Sequence, residues 1–297
     1  AAVPVAISLF HTFFNVANTL VMVWFVKPLA RLVGWIIPER ALPERPVEEP
    51  KFLSPEALAY PETAIAALEK ESRYLYEHAI FEIVSHALSL HREDIRSESK
   101  PKKVVKKSKE DLHVDVRELY LSRVKGIYRE IIAFAIHAQS DLALTEAQHQ
   151  RVGELKMANR KMVEIIKDAR EVKRNVSRYL KEGHQVMIGE YNKFRKKMVG
   201  VLRVIADFQE EGQKAPLERL HELSQEAEDG IRKGNLEIDH LIREKKVTPE
   251  MASSLVNDHD NVNDMIENLI EVAFILYDRG ELTREMEREP PEKVASS

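Results

Sequence analysis

The residues with the clearest chemical potential lie near the C-terminal end. Asp260, Asp264, Glu267 and Glu271 recur at i, i+4, i+7 and i+11, which puts four carboxylates on one face of a helix. Like charges at this spacing repel mildly, so the ladder does not serve helix stability. Carboxylate oxygens suit a hard cation, which takes about six oxygen ligands, more than one helix supplies. A second helix must therefore contribute, and Glu164 with Asp168, or Glu237 with Asp239, are the candidates. A solvated acidic face is the competing reading of the same ladder. His259 falls towards the apolar side of this helix and reads as a core histidine rather than a ligand.

A second polar set stands at the other end. His11, Asn15 and Asn18, with Ser8 nearby, share one face of an otherwise apolar segment. In a membrane such groups hydrogen-bond to neighbouring helices or line a water-filled path, and both readings stay open.

The elements that position these residues follow from the charge pattern. Ala1–Val26 contains no Asp, Glu, Lys or Arg, and about 20 apolar residues suffice to cross a bilayer. The stretch does not read as a secretory signal, since it has no basic start and its apolar run is too long. It begins at Ala1 with no initiator methionine, so the chain is expected to be the C-terminal portion of a larger membrane protein. Trp24 and Phe25 sit at an interfacial position. Lys27, Arg31 and Arg40 follow, and basic residues beside a span favour the cytoplasmic side. Leu29, Leu32, Val33, Ile36 and Ile37 extend an apolar face as an interfacial continuation.

Residues 38–60 read as a linker, with prolines at 38, 43, 46 and 50. Ser54-Pro55-Glu56 and Tyr60-Pro61-Glu62 are helix starts with proline at the first position. A helix is expected over about Pro61–Leu90, with Ile65, Leu68, Leu75, Ala79 and Ile83 inward. The Lys-rich stretch 95–109 reads as a solvated loop, or as a contact for anionic lipid. Further helices are expected near 111–142, 146–181, 185–211 and 216–244. Thr145 and Gln148 form a capping box, and Gly183 sits at a helix C-terminus. A last helix starts at Thr248-Pro249-Glu250 and stops at Arg279-Gly280; residues 283–297 form a polar tail. The expected organisation is a span and its extension over 1–37, a linker over 38–60, a helical bundle over 61–282 and the tail.

Composition removes several function classes. Lys+Arg (45) and Asp+Glu (49) nearly cancel, which argues against a nucleic-acid partner. There are no cysteines, so disulfides, thiolate nucleophiles and Cys-based metal sites are excluded. No GxGxxG, GxxxxGK[ST] or HExxH motif occurs, and strand signals are almost absent. Nothing makes a positive case for an enzyme.

Two stretches carry a family resemblance. Phe10-His11-Thr12-Phe13-Phe14-Asn15, continuing to Trp24-Phe25-Val26-Lys27-Pro28-Leu29-Ala30-Arg31-Leu32, resembles the end of the second membrane repeat of bacterial sodium/phosphate cotransporters. Asp260-Asn261-Val262-Asn263-Asp264-Met265-Ile266-Glu267-Asn268 is similar to an acidic segment of PhoU domains, which often end such transporters. Lys51-Phe52-Leu53-Ser54-Pro55, then Pro61-Glu62-Thr63-Ala64, resembles the junction between the two. The resemblance covers nearly the whole chain, in the family's order.

It implies an all-α chain of one transmembrane helix and a PhoU-like cytosolic bundle, in the bacterial inner membrane. The implied function is the C-terminal part of a sodium-dependent phosphate symporter whose tail regulates transport. His11, Asn15 and Asn18 are then candidates for the transport path. Asp260 and Asp264 are candidate ligands for a divalent or iron-type metal, and Glu164 and Asp168 match the spacing of a second pair. Sodium and phosphate belong to the complete transporter. Its remaining membrane domain is the implied partner, and homo-oligomerisation is left open. The family's Gln-Ser-Ser motifs are absent: Gln139-Ser140 is followed by Asp141 in a soluble helix. This portion alone is therefore not expected to transport. The alternative reading is a membrane-tethered helical adaptor without transport activity.

Overall fold

A computed structural model describes residues 2–36, 47–211 and 217–277. The linker as far as Pro46, the start at Pro216, the stop at Arg279-Gly280 and the tail 283–297 lie outside the described residues. The described chain is all-α, with no strand among its residues. It forms two compact units that divide between Pro46 and Val47.

The first unit is α1 (Ala2–Ile36), continuous through Pro28. Its stretch Pro4–Leu29 has a mean hydropathy of 1.5 and is long and apolar enough to cross a membrane. None of that stretch is buried within the structure, so its apolar side chains find no protein cover here.

The second unit opens earlier than the sequence suggests. Residues 47–60 pack on the bundle instead of spanning free, which moves the expected linker boundary from 60 to 46. The Glu48 amide donates to the Ser122 carbonyl (2.8 Å), and Pro55 opens a 3₁₀ turn, Pro55–Ala59. Proline fits a helix start because the first turn leaves amide donors unused.

The first long helix of the bundle runs as α2 (Pro61–Tyr74), a π-turn (Leu75–Ile80) and α3 (Phe81–Ala87). Ile65, Leu68, Leu75, Ala79 and Ile83 are buried as the helical spacing predicts. The helix ends short of Leu90, where Ser89 takes a left-handed φ of 52°.

The expected loop at 95–109 is instead two short helices, α4 (Arg92–Arg96) and α5 (Pro101–Lys107). Pro101 starts α5, and Val104 and Val105 turn inward onto the helix that follows Gly183 while the lysines point out. Two apolar residues in a basic run are enough to anchor it.

Next come α6 (Val116–Leu119), a π-turn (Tyr120–Val124) and α7 (Lys125–Asp141), with the Asp115 carboxylate capping the amides of Arg117 and Glu118. The longest helix, α8 (Glu146–Glu182), starts with the Thr145–Gln148 capping box and ends at Gly183, φ 72°. Three further helices complete the described fold: α9 (Gln185–Glu211), α10 (Leu217–Arg243) and α11 (Pro249–Tyr277). The core runs along α8 and α11. Val172, Ala169, Ile165 and Met162 of α8 and Leu255, Val262, Ile266 and Leu269 of α11 are buried. Helices α2 and α3 pack on α8, and α9 and α10 on α11. This α8–α11 pair places the acidic residues.

Candidate functional site: an acidic recess between α8 and α11

Where α8 and α11 meet, Glu164, Asp168, Asp264, Glu267 and Asn268 line a recess of about 250 Å3. Each helix buries its apolar stripe against the other, so polar residues one position off the stripe face each other at the seam. Ile165 and Ile166 are buried beside Glu164, and Met265 and Ile266 beside Asp264. Of the two second-helix pairs the sequence offers, the fold therefore selects Glu164 and Asp168. Glu237 is engaged elsewhere, accepting from Lys193 Nζ at 2.7 Å, and Asp239 is exposed on α10.

Asp168 carries the electrostatic signature of the site. Burial, then the negative charges of Asp264 and Glu164, raises its carboxyl from 3.8 to about 6, against a smaller opposing pull from Lys167. Cations frame the recess. Lys161 Nζ contacts Glu271 at 2.7 Å and donates to Asn268 Oδ1 at 2.9 Å, and Arg160 Nε donates to Glu164 at 3.3 Å. Asp260 stands outside the recess, exposed, with a carboxylate oxygen 3.9 Å from His259 Nδ1. The acidic ladder of α11 is thus split: Asp264 and Glu267 line the recess and Glu271 pairs with Lys161 of α8, while Asp260 stays outside.

The donor set is oxygen only, which matches a hard cation, and a cation there would offset the burial and the neighbouring charges that together raise Asp168. Among the described residues, no three carboxylate or imidazole groups converge closely enough to hold a metal ion by themselves. Glu164, Asp168 and Asp264 are the residues that could contribute ligands.

His259 is buried in the core, its ring 5.8 Å from that of Phe194 and its Nδ1 3.3 Å from Asn263 Nδ2. The α10 backbone approaches this ring so closely that a Cβ on Gly234 would lie 2.1 Å from Nε2. That contact explains a glycine within a helix.

Three buried polar junctions were not singled out from the sequence. Asp258 accepts from Tyr191 OH at 2.6 Å and from Asn175 Nδ2 at 2.8 Å; burial raises its carboxyl, and raises the Tyr191 hydroxyl in turn. Asp258 falls between Leu255 and Val262 on the apolar face of α11, and that placement was the available signal. Arg195, 1% exposed, donates to the carbonyls of Leu88, Ser89 and Ser108, and burial lowers its guanidinium to about 10. Glu71 is fully buried; its Oε2 accepts the amides of Lys51 (2.8 Å) and Phe52 (2.7 Å) and so clamps the entering strand of chain to α2.

On α1, His11, Asn15 and Asn18 are exposed on one face. Thr12 and Thr19, beside them, turn their hydroxyls back to the carbonyls of Ser8 (2.9 Å) and Asn15 (2.8 Å).

No protein-family model, curated protein or solved structure matches the chain.

Proposed function

We propose that the chain is the C-terminal part of a bacterial sodium-dependent phosphate symporter, with a PhoU-like cytosolic bundle that regulates transport. The observation that carries the reading is the recess: two acidic pairs distant in sequence, Glu164/Asp168 and Asp264/Glu267, come together at one seam. Of the residues that the resemblance points to, Glu164, Asp168 and Asp264 line this recess while Asp260 lies outside it. A helix long enough to cross a membrane precedes the bundle in the sequence.

In this reading α1 crosses the inner membrane, and Lys27 and Arg31 keep its C-terminal end in the cytoplasm. Sodium and phosphate are handled by the remainder of the membrane domain, the bundle's partner. The bundle docks on the cytosolic side of that domain and biases its conformations. Such a bias requires different affinities for the two states. A hard cation in the recess, divalent or iron-type, is the input: it would bind Asp168 and Asp264 and draw α8 and α11 together. Glu164 would add a ligand, and water would complete the sphere.

The test is uptake of labelled phosphate into proteoliposomes holding the complete protein, with and without an inward sodium gradient. Uptake that requires the gradient is the expected result. A membrane-held protein that moves no phosphate under either condition would leave the tethered adaptor as the better account.

A further inference from the structure

The polar face of α1 has a spacing that goes beyond being merely polar. Ser8, His11, Asn15, Asn18, Met22 and Phe25 alternate at intervals of three and four, so residues 8, 15 and 22, and 11, 18 and 25, repeat every seven. That is the seam pattern of two helices wound around each other, each knob entering a hole in its partner. Within Pro4–Leu29, Asn15 and Asn18 lie at the middle, where no water competes for their amides. The flanking threonines bond to their own helix, whereas His11, Asn15 and Asn18 are exposed on the face.

We propose that this face meets the same face of a second copy of the chain, forming a parallel helix pair in the membrane with Asn15 at its centre. A carboxamide carries both donors and an acceptor, so two copies related by a two-fold axis satisfy each other at the same position. Asparagine at a seam position is also the residue type that fixes register in parallel pairs. Both copies insert in the same direction, because Lys27 and Arg31 hold the same end of each on one side. The helices are therefore parallel, and the two-fold axis runs along the membrane normal. The polar face is thereby assigned to a helix neighbour, not to a water-filled path. The proposal rests on α1 spanning the membrane, and it is independent of phosphate transport.

The chain has no cysteine, so single cysteines report without background. Ser8→Cys, Asn15→Cys and Met22→Cys on the seam, with Phe13→Cys and Leu20→Cys on the opposite face, are expressed one at a time in the complete protein in native membranes and oxidised. A disulfide needs Cα atoms within about 7 Å. Dimers of twice the chain mass are expected at 8, 15 and 22 and not at 13 or 20. Asn15→Leu in the Met22→Cys background should lower the crosslinked fraction about three- to thirtyfold, the range for one interhelical polar pair, and Asn15→Gln should restore part of it.

Crosslinks equal on both faces, none on either, or crosslinks from the seam to a different membrane segment would overturn the dimer. Carbonate extraction of the same membranes separates the causes. A chain released into the soluble fraction defeats the membrane reading and the dimer together. A chain retained without the seven-residue pattern defeats the dimer alone.

Discussion

Replacing Asp168 by asparagine should stabilise the protein, against the usual direction for a half-buried polar site. In the native fold this carboxylate ionises only near pH 6, against an ordinary value of 3.8. Above pH 6 the fold therefore holds a charge that burial, Asp264 and Glu164 all oppose. The full difference corresponds to ~3 kcal/mol at 1.36 kcal/mol per pH unit. The group is only partly buried, and solvent screening reduces this to about 1 kcal/mol. The sign follows from proton binding. Between 3.8 and about 6 the folded state holds a proton that the unfolded state has released, so the wild type gains stability as pH falls through this window. Asparagine cannot ionise and gains nothing there. Thermal unfolding of the detergent-solubilised chain at pH 8 should place Asp168→Asn about 2–4 °C above wild type. The gap should narrow at pH 5 and close near pH 4. An added hard cation should raise the wild-type midpoint at pH 8 and leave Asp168→Asn unmoved. A variant less stable at pH 8, or a gap independent of pH, would refute the electrostatic reading of the recess.

Gly234→Ala should destabilise by about 1–3 kcal/mol through overpacking, although alanine is the better helix former. His259→Ala should remove most of that penalty, and a double-mutant cycle by urea unfolding measures the coupling. Asp258→Ala leaves the Tyr191 hydroxyl and the Asn175 amide without their buried acceptor. Its urea midpoint should fall, for a loss of about 2–3 kcal/mol with an unchanged m-value. Glu71→Ala should speed hydrogen exchange at the Lys51 and Phe52 amides while the α8 core amides stay protected. Equal exchange at all of these amides would mean that Glu71 supports the whole bundle and is not a local clamp.

Much of this architecture is written in local patterns. The Thr145–Gln148 box, Gly183 and the prolines at 55, 61 and 249 mark helix ends because each satisfies or removes a terminal backbone group, whatever the tertiary context. The acidic ladder of α11 was equally visible, and so was the candidacy of Glu164 and Asp168. Which partner pair it would meet was not, since helical periodicity carries no information on which helices adjoin. The same limit explains why Asp260 was grouped with Asp264: the two share a helix, but only Asp264 lines the recess against α8, while Asp260 is exposed. The Lys-rich stretch was misread as a loop because its charge outweighs two valines in any average, whereas packing depends on where those valines point. Asp258, Arg195 and Glu71 were passed over because their roles depend on partners between 19 and 107 residues away.

The central claim is that a sodium-driven phosphate transporter carries this bundle as its regulator. The most direct measurement is phosphate uptake by a phosphate-transport-deficient bacterium expressing the full reading frame, either intact or ending after Arg40, with and without sodium. The account predicts sodium-dependent uptake from both forms, with a rate that changes when the bundle is removed. Uptake indifferent to sodium, or absent, would contradict the transport assignment, and identical sodium-dependent uptake from both forms would contradict the regulatory one.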